Sequence, residues 1–187
     1  MLKVFLPLWL VAVIAGFAGL AVYGFKSGSQ PEAPAHVKAV SKQDTLYVFL
    51  HPQCPCSLAT ISELERIQQQ TGKRLAIHVY LVAPEGKNPW VNGSTARRAQ
   101  DVAVWQTEWD PGGKAAKRMG AATSGFTVLY DAKGRKAFQG GITASRGHEG
   151  DSVGKDAILD FVKKGKADVA KAPVYGCYLG DLGAASQ

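Results

Sequence analysis

Between Val4 and Phe25 the chain reads VFLPLWLVAVIAGFAGLAVYGF, with no charged residue. A helix of that length rises about 33 Å, against a bilayer hydrocarbon core of about 30 Å. The rival reading is a cleaved export signal, whose apolar region spans about 7–15 residues and ends in small residues. This run is longer and closes on Tyr23, Gly24, Phe25 and Lys26. No cysteine follows directly to carry a lipid. The sequence is therefore read as an uncleaved single-pass membrane anchor over residues 1–26. On either reading the remainder is exported or tethered. Lys3 and Lys26 flank opposite ends, so charge barely selects an orientation. A short amino terminus usually stays inside, which puts the rest of the chain outside the cytoplasm, in an oxidising compartment suited to disulfide chemistry.

Residues 27–41 are rich in Ser, Pro, Ala and Gly and lack apolar periodicity, the composition of a spacer. The body of the chain is read as one domain over 42–166, with a tail over 167–187. The formal charge is +7. Its basic residues are scattered, with no arginine stripe interleaved with aromatics, so nucleic acid is not an expected partner. A solvated surface with some attraction for anionic lipid fits better.

Thr45–His51, TLYVFLH, is an apolar run of the kind buried on both faces of a sheet, and Pro52 ends it. Leu58, Ile61, Leu64 and Ile67 then recur at helical spacing until Gly72. RLAIHVYLV, from Arg74 to Val82, is a second strand, and a strand–helix–strand unit of this length implies parallel pairing. A polar loop follows. Ser94 is expected to cap a helix through about Thr107, and DPGGKAAKRMG reads as a further short helical piece. Phe126–Tyr130 and Arg135–Gln139 around Gly134 form a hairpin. A last helix is expected from Val153 to Lys164. The order indicates an α/β fold, with a central mixed sheet flanked by helices.

The chain has three cysteines, and two of them, Cys54 and Cys56, flank Pro55 where the first strand gives way to the first helix. A thiol at a helix amino terminus faces unpaired N–H groups, which favour thiolate, the form that attacks disulfides and binds soft metals. A buried cysteine acting as a small apolar residue is the alternative. Two thiols around one proline argue against it. Cys177, in PVYGCYLG, is either a second resolving thiol or a tail cysteine without a partner. His51 lies three residues before Cys54, close enough to lower its pKa or share a metal. His78, mid-strand, is read as structural.

This layout resembles the thioredoxin superfamily over roughly Lys42 to Lys166, with Phe49 five residues before Cys54. HPQCPCS, GGITASRGHEGD and YGC resemble its membrane-associated RedB-type branch. The resemblance implies a thioredoxin-like fold and a thiol–disulfide oxidoreductase that acts on protein thiols or disulfides without a cofactor. Cys54 would be the attacking thiol, Cys56 the resolving one and Cys177 an alternative resolver. The pattern departs from the family in two places. Ser57 stands where the second cysteine of C-x-x-C is found, so its hydroxyl is expected to bond the Cys54 thiolate or cap the helix. A disulfide from Cys54 to Cys56 would close a small, strained ring. The stretch before the hairpin, where the family carries a cis-proline, holds Thr123, Ser124 and Gly125 instead. Arg146 and His148, in the loop after the hairpin, are candidates to stabilise thiolate or contact substrate. The alternative function is a copper(I) carrier or assembly factor, with Cys54, Cys56 and His51 as ligands.

Overall fold

The computed structural model of the chain describes residues 2–28, 30–39, 41–86 and 90–180. The apolar run forms α1 (Leu2–Phe25). Its segment Leu6–Phe25 has a mean hydropathy of 2.1 and none of it is buried against the rest of the chain, so it is long and apolar enough to cross a membrane.

The expected strand–helix–strand unit is present as β1 (Asp44–Leu50), α2 (Cys56–Thr71) and β2 (Leu75–Ala83). β1 and β2 pair in parallel, with Val48 opposite Val79. Next come α3 (Ser94–Gln100), β3 (Gln106–Pro111) and α4 (Lys114–Arg118). The hairpin of β4 (Phe126–Tyr130) and β5 (Lys136–Gly140) leads to α5 (Val153–Lys164). One sheet runs in the order β3-β2-β1-β4-β5. The helix expected from Ser94 to about Thr107 is cut short at Gln100, and Gln106–Pro111 is an edge strand parallel to β2. QTEWDP is mostly polar because one of its edges has no strand neighbour and much of it is exposed, so it carries no buried-strand signature.

β1 is buried on both faces because a core lies on each. On one face Leu46, Val48 and Leu50 meet Ile61, Leu64 and Ile67 of α2, Ala96 and Ala99 of α3, and Ala157 and Ile158 of α5. On the other, Tyr47 and Phe49 meet Phe126, Val128 and Tyr130 of β4 with Ala115 and Ala116 of α4. Among the described residues that second layer has one short helix, and the chain completes it with its two extensions. Ala33 comes from the segment after α1, and Val174 and Leu179 from the tail.

The stretch read as a spacer is thus laid along the domain. Tyr130 donates its hydroxyl to Pro34 O at 2.8 Å, and Ala33 N–H donates to Gln139 Oε1 at 3.0 Å. Glu32 pairs with Lys136 and Lys171. Its alanines and prolines fit because a thin covering over a sheet face needs small residues more than periodicity.

Candidate functional site

Topology places the thiols. β1 is central and β4 runs antiparallel to it, so the end of β1 (Phe49) lies opposite the start of β4 (Phe126). The loop leaving β1 and the loop entering β4 therefore meet, bringing residues 51–57 against 122–125. Gly125 N–H donates to Phe49 O at 2.8 Å. Gly125 has a φ of 89°, the left-handed region that favours glycine. Ser124 is buried, and its Oγ accepts the His51 N–H at 2.8 Å.

The turn into α2 is built by backbone bonds from Cys54 N–H to His51 O (3.1 Å) and from Ser57 N–H to Cys54 O (3.0 Å). Pro55 occupies the cap position with no side-chain bond. Ser57, expected either to cap the helix or to bond the thiolate, does not cap it. It lies inside the first turn, where its hydroxyl hydrogen-bonds Cys54 and sits 2.7 Å from Ser124 Oγ.

All three cysteines are free thiols, and Cys54 is in hydrogen-bond contact with both Cys56 and Cys177. Burial pushes the Cys54 thiol up. Hydrogen bonds from the Cys177 thiol and N–H, the Ser57 hydroxyl and the Cys56 N–H outweigh that, and the net shift is downward. Cys56 moves the other way, raised by its own burial, by repulsion from Cys54 and by donating to it; Arg146 opposes the rise. Cys177 is pushed up to about 12 by burial, by its donation to Cys54 and by the charge there. Of the three sulfurs, Cys54 is the one whose thiolate form is favoured, because the other two thiols donate to it.

Arg146 spans the site. Its guanidinium hydrogen-bonds Cys56 and the Gly176 carbonyl, and lies 4.8 Å from the Tyr23 ring centroid. Its backbone N–H donates to Gly24 O at 3.1 Å, tying the end of α1 to the thiols. His148 is exposed, and its N–H donates to Ser145 O at 3.3 Å. His51 adjoins the site through its backbone. Its Nδ1 accepts the Gln53 N–H at 3.1 Å, and its ring lies 4.8 Å from that of Trp90. Burial lowers its pKa, so near neutral pH it is an uncharged imidazole with its proton on Nε2. Among the described residues no set of three or more His, Cys, Asp or Glu is arranged to hold a metal ion.

Several residues of the site were not singled out from sequence. Thr95 of α3 donates its hydroxyl to Cys54 O at 3.4 Å, and Tyr23 holds the face of Arg146. The tail is the largest addition. Ser124 N–H donates to Cys177 O and Leu179 N–H to Ala122 O, both at 2.8 Å, with Thr123 opposite Tyr178 in an antiparallel bridge. Gly176 permits this approach, since a Cβ there would lie 2.0 Å from Ser124 O. The sequence signal available for it was that glycine beside Cys177.

Two solved structures superpose over most of the chain. A hypothetical protein of Sinorhizobium meliloti gives a TM-score of 0.59 at 16% identity, covering 83% of this chain and 96% of that one. An uncharacterized conserved protein of Geobacillus kaustophilus gives 0.58 at 17%, covering 83% and 92%. The chain has a thioredoxin-like fold. A secreted disulfide oxidoreductase of Mycobacterium tuberculosis also matches, at a TM-score of 0.46 and 13% identity, over 66% of this chain and 83% of that one. No family model and no curated protein matches the sequence. In the thioredoxin-like frame, the thiols occupy the turn between the central strand and the helix that follows it, opposite the loop that leads into the hairpin.

Proposed function

We propose that the chain is a membrane-tethered thiol–disulfide oxidoreductase of protein partners, with Cys54 as its nucleophile and α1 as an uncleaved anchor that holds the domain outside the cytoplasm. The observation that supports it is the asymmetry of the thiols: the Cys54 pKa is lowered by hydrogen bonds donated to its sulfur, while those of Cys56 and Cys177, which donate to it, are raised. A thiolate is the attacking species in disulfide exchange.

In the forward direction Cys54 Sγ attacks one sulfur of a partner disulfide. That S–S bond breaks, and the departing partner sulfur takes a proton. Cys56 then loses its proton and attacks Cys54 Sγ, and the mixed disulfide breaks. The chain ends with a Cys54–Cys56 disulfide and the partner with two thiols. Run in reverse, the same steps oxidise a partner dithiol. Arg146, beside Cys56, lowers the cost of the charge that forms there in the second step.

The test is a pair of substitutions. Cys54→Ser abolishes exchange, and Cys56→Ser accumulates a mixed disulfide at Cys54, read by mass on non-reduced protein. If the adduct clears without Cys56, Cys177 is the resolver, and the double substitution Cys56→Ser with Cys177→Ser restores the trap. A parent without exchange activity, in which Cys54→Ser and Cys56→Ser lower copper(I) affinity equally, overturns the reading.

A further inference from the structure

Cys54, the proposed nucleophile, is also the most enclosed thiol of the site, with 1% of its surface exposed. Part of that cover comes from the tail, which has two legs. Residues 170–173 run along the end of β5, with Gln139 N–H donating to Ala170 O at 3.0 Å and Gly141 N–H to Pro173 O at 3.2 Å. Residues 176–179 cross to the loop before β4, and this leg touches the site. Cys177 meets Cys54 through both its thiol and its N–H. Arg146 holds the Gly176 carbonyl from one side, and Leu179, 3% exposed, is its apolar plug in the second core.

The second leg is held far more lightly than the sheet beneath it. Its described fastenings to the body are the backbone bonds to Ala122 and Ser124 around the Thr123–Tyr178 bridge, the Arg146 bond, the contacts of Cys177 with Cys54 and the seat of Leu179. Segments with so few buried contacts open locally without global unfolding. The leg also uses up the backbone groups of Ala122 and Ser124, which an incoming extended chain would otherwise engage.

We propose that residues 176–179 are a displaceable strap that shuts Cys54 off from solvent and from partners, and that Cys54 reacts only from the state in which the strap has lifted. The first leg keeps the strap tethered, so it returns to the same place and competes with anything bound there. Cys177 is then a thiol that leaves with the strap and comes back with it, whereas Cys56 stays on α2 throughout. The proposal rests on the reading of Cys54 as the working thiol, but its test uses simple alkylation, so it stands or falls separately from disulfide exchange.

The experiment follows carbamidomethylation of Cys54 by peptide mapping at fixed pH, alongside amide hydrogen exchange of Leu179, in the full chain. In the parent, Cys54 reacts slowly for a thiolate and the Leu179 amide is protected. Leu179→Ala, which removes the plug without touching a cysteine, should raise the alkylation rate about tenfold or more, because the opening equilibrium no longer has to expose a buried leucine. Exchange at the residue 179 amide should accelerate in parallel, while the β1 amides keep their protection. Should Leu179→Ala leave that amide protected, Leu179→Asp is the stronger release, and the same two readings apply. A Cys54 that alkylates in the parent as fast as an unshielded thiolate overturns the proposal. So does an unchanged Cys54 rate in a variant whose residue 179 amide has lost its protection.

Discussion

Ser124 Oγ lies 2.7 Å from Ser57 Oγ and also accepts the His51 N–H at 2.8 Å. Each hydroxyl has one proton. With His51 donating to Ser124, the Ser124 proton is free to point at Ser57, whose own proton is shared between the His51 carbonyl, at 3.4 Å, and Cys54. The chain of donors thus runs from the end of β1, through the loop before β4, to Cys54, and each link strengthens the next. Ser57→Ala removes the last link and should raise the Cys54 pKa, moving the pH profile of its alkylation to higher pH. It also leaves Ser124 short of a buried partner, at a cost of about 1–2 kcal/mol in the denaturation midpoint. Ser124→Ala should shift the profile in the same direction by less. A profile unmoved by both substitutions makes the hydroxyls bystanders.

The three thiols give the stability of the reduced protein a characteristic pH dependence. Cys54 has a folded pKa below its unfolded value, so the unfolded chain binds the extra proton and stability rises with pH up to the ordinary thiol range. Cys56 and Cys177 have folded values above it, Cys177 at about 12, so above that range the folded chain keeps protons the unfolded one has lost, and stability falls. Tyr130, also pushed up to about 12 by burial, adds to the fall at still higher pH. Urea midpoints of the reduced parent should therefore peak near the ordinary thiol pKa. Cys177→Ser should flatten the descent just above the peak; a descent of the same slope in that variant removes Cys177 as its cause.

Much of this was legible in the sequence, and the limits have physical reasons. β1, β2, β4 and α5 were readable because their residues are buried in simple periods, and Cys54 with Cys56 stood out at a strand-to-helix turn. β3 was not, because an edge strand with much of its length exposed is polar. The packing of 27–41 and of the tail was invisible for a different cause. Their hold comes from single buried residues such as Ala33, Val174 and Leu179 and from backbone bonds to distant loops, neither of which leaves a periodic trace. Cys177 was noted as a thiol, but nothing local says that it lies against Cys54. The convergence is a product of topology. His51 shows the converse, for its proximity in sequence suggested action on Cys54, whereas its ring is turned to Gln53 and Trp90.

Arg146 joins three parts of the chain: the end of α1 through Gly24 O and Tyr23, the strap through Gly176 O, and Cys56 directly. Arg146→Ala should raise the Cys56 pKa further, since the guanidinium is what opposes its rise. The mixed disulfide at Cys54 should then persist several-fold longer in single-turnover exchange, with little change in the rate of its formation from the open state. Arg146→Lys should recover only part of the effect, because an ammonium supplies charge without the planar fork that reaches two acceptors at once. A mixed-disulfide lifetime that stays the same in both variants would leave Arg146 a purely structural clasp.

Glu63 of α2 and Lys155 of α5 form a buried ion pair, 3.1 Å apart with side chains 0% and 8% exposed. Glu63 also accepts the Gly150 N–H at 2.7 Å and pairs with Arg66. Lys155 donates to Gly150 O at 2.7 Å, so the loop after the hairpin is fastened to both helices at one point. Removing Lys155 leaves buried Glu63 with Arg66 as its cation, and removing Glu63 leaves Lys155 with the exposed Asp151. Lys155→Met should therefore cost less than the ~3–5 kcal/mol of a buried pair with no other partner, and Glu63→Gln less again because the amide still accepts from Gly150. Replacing both, as Glu63→Leu with Lys155→Met, should recover much of the loss, since a well-packed apolar pair avoids the desolvation of two ions. The loop would nonetheless lose its acceptor at Gly150, and with it some of the fixed position of Arg146. Urea unfolding of the four chains gives the coupling directly. A double variant as unstable as the sum of the single ones would show that the two residues act independently; recovery beyond either single variant would show that the pair is held for the position of the loop at some cost to stability.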